Sequence, residues 1–138
     1  MNPRSSTLID HVHLRVRDLE ASKRFYRAVL QALGKGDLIR EGPDHLSAGE
    51  LWIDAADAAP SHVHLAFCAQ DQAAVQRFHA AALAAGGRDN GPPGERSYHP
   101  GYYAAFVWDP DGHNIEAVWH GAARGDESVA DAARAAGP

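Results

Sequence analysis

Apolar and polar residues alternate strictly over Ile9-Asp10-His11-Val12-His13-Leu14-Arg15-Val16. Val12, Leu14 and Val16 fall on one side, and His11, His13 and Arg15 on the other. A period of two predicts a half-buried strand with one polar face. The period then changes: Tyr26, Val29, Leu30 and Leu33 lie at i, i+3, i+4 and i+7. This predicts a helix from residue 19 to about 33, with Asp18 as N-cap and Gly34 as its stop. Short strands are expected at 37–41, about 45–48 and 50–54, broken at Gly42-Pro43 and Gly49. Residues 55–60 have no periodicity.

The pattern then returns. Ser61-His62-Val63-His64-Leu65-Ala66-Phe67 repeats Asp10-His11-Val12-His13-Leu14-Arg15-Val16 at an offset of 51 residues. A second helix is expected over about 72–85, capped by Asp71 and stopped by Gly86-Gly87. Inside it, Arg77-Phe78-His79-Ala80-Ala81 echoes Arg24-Phe25-Tyr26-Arg27-Ala28 at an offset of 53. Residues 88–101 are rich in turn formers and read as a loop. A closing hairpin follows, with apolar runs at 103–108 and 114–119 around Asp109-Pro110-Asp111-Gly112. Asp at the first position, Pro at the second and Gly at the fourth suit a type I turn. The fold class is therefore α+β: two tandem βαβββ modules, about 8–56 and 61–120, whose curved sheets form a cup with the helices outside. They make one domain over 1–120, and the tail, 121–138, is assigned no role.

Composition narrows the function. The chain has 138 residues, 45% hydrophobic and 22% charged, enough for one domain with a real core. A net charge of -5 argues against nucleic-acid binding, which wants a basic face. No apolar run approaches the ~20 residues of a membrane span and no signal-peptide core opens the chain, so a cytoplasmic location is expected. The single cysteine, Cys68, excludes an internal disulfide. Parity puts it on the cup face, although a small buried thiol is the expectation for a lone cysteine.

The chemistry concentrates on one face. Glu116 sits between apolar neighbours on the last strand, sharing a face with Asn114, Val118 and His120, and needs a partner there. At an offset of 51, His11 and His62 occupy matching positions on the face opposite the helices. Two imidazoles and a carboxylate suit Zn²⁺, Ni²⁺, Mn²⁺ or Fe²⁺.

The run from His11 to Tyr26 resembles the opening of the vicinal oxygen chelate superfamily, which includes glyoxalase I, bleomycin- and fosfomycin-resistance proteins and extradiol dioxygenases. Asp109-Pro-Asp-Gly-His-Asn-Ile-Glu116 resembles its closing signature. The resemblance covers roughly residues 8–120. It implies a divalent metal held by His11, His62 and Glu116, a small-molecule substrate and a homodimer whose modules pair within or between chains. Metal-binding glyoxalases also use a carboxylate on the last strand of module one. Here the matching inward residue is Trp52, with Glu50 and Asp54 about 7 Å to either side.

Other cup residues are candidates by position. Glu116 and His99 are the candidate catalytic acid or base groups. His13, His64, Trp52, Arg96, Tyr98, Tyr102 and Tyr103 are candidate substrate contacts, with residues 88–101 as a lid. Trp108 and Trp119 are expected to pack. Two functions follow. One is a metal-dependent enzyme acting on a substrate chelated through vicinal oxygens, by glyoxalase-like lyase or isomerase chemistry, ring-cleaving oxygenation or epoxide opening. The other is a non-catalytic, bleomycin-resistance-like sequestering protein. Several histidines and Arg15 in the cup suit a cationic drug poorly and favour the enzyme.

Overall fold

The computed structural model describes residues 9–121. Module one runs β1 (Val12–Val16), α1 (Leu19–Ala32), a short 3₁₀ turn (Gly36–Leu38), β2 (Ile39–Gly42), β3 (His45–Ala48) and β4 (Leu51–Ala55). Module two runs β5 (His64–Cys68), α2 (Gln72–Ala84), β6 (Arg88–Glu95), β7 (Tyr103–Trp108) and β8 (Asn114–Trp119). Each module forms a four-stranded sheet of the same topology, β1-β4-β3-β2 and β5-β8-β7-β6. In both, the first strand runs parallel to the last, and the other pairs are antiparallel.

Both helices begin on the aspartates expected as caps. Asp18 accepts from Ala21 N at 3.1 Å and Asp71 from Ala74 N at 2.7 Å. Each bond satisfies one of the amides a helix start leaves unpaired. The helices cover one face of each sheet and pack on each other, with Arg77 Nε donating to Ala32 O at 3.3 Å. One apolar core runs through both modules, joining Leu14, Phe25, Val29 and Ile53 to Val75, Phe78, Val107 and Ile115. Each such side chain, fully withdrawn from water, contributes roughly 1.5–3 kcal/mol before entropy is counted.

Two expectations need correction. Residues 88–101 are not loop throughout, because the first eight form β6, an edge strand whose pairing with β7 slips in register at Gly91 and again before Gly94. Pro92 and Pro93 are tolerated because an edge strand does not need every N–H. Their composition hid the strand. Cys68 is exposed, not buried. β5 is a sheet edge in a strictly alternating pattern, and Cys68 lies on the side no helix covers.

The hairpin turn at 109–112 joins the modules. Gly112 N donates to Asp109 O at 3.0 Å, with Gly112 at φ 90°, where a Cβ would be strained. Asp109 is 1% exposed. Its Oδ1 accepts from Asp111 N (2.8 Å) and His113 N (2.9 Å), and its Oδ2 from the hydroxyl of Tyr26 on α1 (2.5 Å). Arg17 N donates to Asp111 Oδ1 at 3.0 Å. Burial first, then the Asp109 charge, holds the Tyr26 hydroxyl well above its ordinary pKa.

Candidate functional site

The parallel strand pairs provide a ruler for comparing the modules. In module one His13 stands opposite Trp52, and in module two Ala66 stands opposite Glu116. Trp52 and Glu116 are thus counterparts, and Ala66 is the counterpart of His13 at an offset of 53. The helix caps give the same offset: Asp18 stands seven positions after His11, and Asp71 seven positions after His64. His64 therefore occupies the position of His11. His62 lies two residues ahead of it, exposed, before β5 begins.

Glu116 is 2% exposed. Its Oε1 lies 2.8 Å from His64 Nε2, and its Oε2 accepts from the Tyr102 hydroxyl. An ionised Glu116 accepts from both, which makes burial of its charge tolerable. Tyr102 is buried with Ala104 and Val118, with Phe106 against them. Burial, followed by the Glu116 hydrogen bond, raises the Tyr102 pKa. His64 keeps half its side chain in solvent, so the pair is reached from that side.

Tyr98 and His99 meet the Tyr102 ring edge-on, at centroid distances of 4.9 and 5.3 Å. His99 Nδ1 bonds Pro100 O at 2.8 Å and its Nε2 lies 3.1 Å from His120 Nδ1. A carbonyl can only accept, so the neutral His99 carries its proton on Nδ1 and accepts from His120. Arg96 is committed elsewhere: its guanidinium donates to the carbonyls of Gly94 and Pro92 and lies over Phe106. Tyr103 faces the other way, packing into the main core with its hydroxyl accepting from Gln76 on α2. It does not join this cluster.

Module one's concave face is open. A cavity of about 470 Å³ is lined by His11, His13, Ser47, Gly49, Glu50, Leu51 and Trp52. His11 pairs with Asp10 at 2.9 Å and is exposed. A second cavity, about 480 Å³ and mostly apolar, runs between the modules past Val12, Leu33, Leu65 and Cys68. Neither is lined by Glu116. Among the described residues His11, His62 and Glu116 do not come together within one chain, and His62 makes no contact with Glu116.

One other cluster has metal-like spacing: the ligand atoms of Asp109, Asp111 and His113 lie within 4.8 Å of one another. His113 Nδ1, however, accepts from Val63 N at 3.3 Å, which leaves its proton on the unpartnered Nε2. Ligation through Nε2 would require moving that proton to Nδ1 and giving up the bond from Val63 N. We assign this cluster to the joint between the modules.

The duplicated βαβββ topology, with imidazole and carboxylate on first and last strands, is accompanied by a direct match. A profile of the Glyoxalase/Bleomycin resistance protein/Dioxygenase superfamily matches residues 8–117. The chain belongs to this superfamily. A glyoxalase/bleomycin resistance protein from Albidiferax ferrireducens is 34% identical, covering 81% of this chain and 98% of its own, with a TM-score of 0.69. Two further structures share the fold. A glyoxalase-related enzyme from Fulvimarina pelagi is 23% identical, covering 81% and 87%, with a TM-score of 0.64. A glyoxalase/bleomycin resistance protein/dioxygenase family enzyme from Burkholderia phytofirmans is 20% identical, covering 79% and 95%, at 0.58. A comparison with curated protein sequences gave no match.

Within the superfamily frame, the residue that sequence reasoning underrated is His64, taken as a substrate contact while His62 was matched to His11. The signal was present in the helix echo, whose offset of 53 disagreed with the strand echo of 51. Counting back from the two N-caps selects the former.

Proposed function

We propose that this chain is a metal-dependent enzyme acting on a small substrate with adjacent oxygen atoms, and that His64, Glu116 and His11 are its protein ligands. The observation that supports this is the contact of His64 Nε2 with Glu116 Oε1 at 2.8 Å, at paired positions on the first and last strands of module two. A nitrogen and an oxygen donor converge there on a face otherwise lined by Ala104, Val118 and Phe106. That donor set fits a divalent ion of the Zn²⁺, Ni²⁺, Mn²⁺ or Fe²⁺ type.

One chain supplies only part of the set. His11 lines the other module's cavity, so it completes the site from a second copy, in a homodimer. Trp52 offers no ligand atom, which leaves more than one position for substrate. When bound, the ion would polarise the substrate oxygens as a Lewis acid. The chain's own residues do the rest. The Tyr102 hydroxyl holds Glu116 Oε2 and so fixes which oxygen turns toward His64. His99, ordered by Pro100 and His120, stands beside Tyr102 where it could give or take a proton. Isomerase or lyase chemistry and ring-cleaving oxygenation both suit these groups.

The test is metal content of protein purified without a polyhistidine tag. Near-stoichiometric divalent metal is expected in the wild type and in His62→Ala, and its loss in His64→Ala and Glu116→Gln. Absence of metal from the wild type, with none taken up from added Mn²⁺, Fe²⁺, Ni²⁺ or Zn²⁺, would leave the sequestering protein as the better reading. The exposed indole of Trp52 is the observation that favours it.

A further inference from the structure

The open cup of module one holds a second constellation that the metal reading does not use. Trp52 is 41% exposed, the largest side chain left open on this face, yet it is held from two sides. Its ring stacks on His45 with centroids 4.2 Å apart and planes 4° from parallel. Its Nε1 donates to Asp54 Oδ2 at 3.2 Å. His45 in turn lies against Gly42, where a Cβ would come within 2.7 Å of the imidazole. The stack therefore depends on a glycine. One indole face is taken by His45, and the exposed remainder of the side chain lines the 470 Å³ cavity.

Beside it, His13 Nε2 lies 2.7 Å from Asp54 Oδ1. Because that hydrogen bond holds Asp54 below the usual carboxylate range, the carboxylate is acceptor-only and Nε2 must be the donor. With its proton on Nε2, the imidazole presents Nδ1 as the acceptor, on a residue that lines the same cavity. One carboxylate thus orients two groups, an aromatic plate and a hydrogen-bond acceptor next to it. His11, Glu50 and Arg15 are the other charged or ionisable groups on this side of β1 and β4.

We propose that the concave face of module one binds a planar aromatic molecule carrying a hydroxyl group. The ring stacks on Trp52 and the hydroxyl donates to His13 Nδ1, while Asp54 positions both. Stacking supplies the larger part of the affinity and the hydroxyl selects among flat molecules. The site does not need metal and stands whether or not His64 and Glu116 hold an ion.

The experiment titrates EDTA-treated full-length protein with naphthol and with its methyl ether in neutral buffer, followed by tryptophan fluorescence and calorimetry. The wild type should bind naphthol more tightly than the ether, by about tenfold for one well-placed hydrogen bond. Trp52→Ala should weaken both ligands about tenfold, and Trp52→Phe should weaken both less. His13→Phe should abolish the preference for naphthol while leaving the ether unchanged. Asp54→Asn, whose amide can donate to Nε2 and drive the proton to Nδ1, should do the same. Because the protein is titrated free of metal, failure of this proposal is distinguishable from failure of the metal site. Equal binding of naphthol and ether by the wild type, or undiminished binding in Trp52→Ala and Trp52→Phe, would overturn it.

Discussion

The two concave faces of this molecule share one plan and present different chemistry. In module two the last-strand position holds Glu116, buried and bonded to His64 and Tyr102. In module one the same position holds Trp52, exposed and stacked on His45. The difference in burial follows from the connections. Module one closes β2 to β3 with a two-residue turn, whereas module two uses the seven residues 96–102, the last of which, Tyr102, bonds the carboxyl that stands opposite Phe106 of β7. A buried carboxyl needs hydrogen-bond partners for its oxygens; an exposed indole needs only something flat behind it. Duplication supplied two equivalent cups. One now carries a buried carboxyl against an imidazole, and the other an exposed indole stacked on His45.

If the two faces complete each other across a dimer, the largest effect available is complementation. His11→Ala and Glu116→Gln are each expected to hold no metal alone. Mixed after unfolding and refolding together, they should form heterodimers with one intact site, recovering up to about half the wild-type metal in that fraction. Metal analysis of the separated heterodimer reads the outcome. Metal retained by His11→Ala alone would place His11 outside the site, and recovery of nothing in the heterodimer would break the pairing of unlike cups across the two copies.

A second comparison sets the two buried tyrosine–carboxylate pairs side by side. Tyr26 bonds Asp109 and ties module one to the turn of module two, while Tyr102 bonds Glu116 in the site. Tyr26→Phe leaves Asp109 Oδ2 unpaired in the core and should lower stability by about 1–3 kcal/mol in urea unfolding, with metal content unchanged. The pH dependence has a definite sign. The native pKa of Tyr26 lies well above the 10.0 of an ordinary tyrosine. Its contribution is therefore intact below pH 10 and is lost as pH rises from there toward the native value, at about 1.4 kcal/mol per unit. The Phe variant should lack that part of the alkaline decline. A variant that keeps the full slope would remove Tyr26 from the joint.

Much of this was legible in the residues. Alternation over 11–16, the Asp18 and Asp71 caps and the Asp-Pro-Asp-Gly turn gave both modules and nearly all element boundaries, because each is a local signal. β6 was missed because Gly91, Pro92, Pro93 and Gly94 carry no strand signal, and only pairing with β7 makes them one. Cys68 was misplaced by a residue-type average that ignored its edge position. Glu116 stood out as a charge on an apolar strand. Its partners were harder to see, since whether His62 or His64 faces it depends on a two-residue shift between the strand echo and the helix echo, which the strand register resolves. Tyr103 was grouped with Tyr102 although adjacent strand residues point to opposite faces, and the loop composition on one side obscured where the strand began.

The position where the modules differ can also be exchanged. Trp52→Glu places a carboxylate at the counterpart of Glu116, opposite His13 and in the cup that also contains His11. Trp52 is exposed, and the change gives up only its stack on His45 and its bond to Asp54, so it should cost about 1–2 kcal/mol in stability. If the dimer brings this face onto His64 and Glu116 of the other copy, a fourth ligand becomes available. Metal should then bind about tenfold more tightly, the gain expected when one donor is added to a formed site. Competition with a chelator indicator measures it. The same substitution should remove the stacking of naphthol, so metal affinity and aromatic binding should move in opposite directions. Tighter metal with undiminished naphthol binding would show that the aromatic plate lies elsewhere. Weaker naphthol binding with unchanged metal affinity would show that the two cups never face one another.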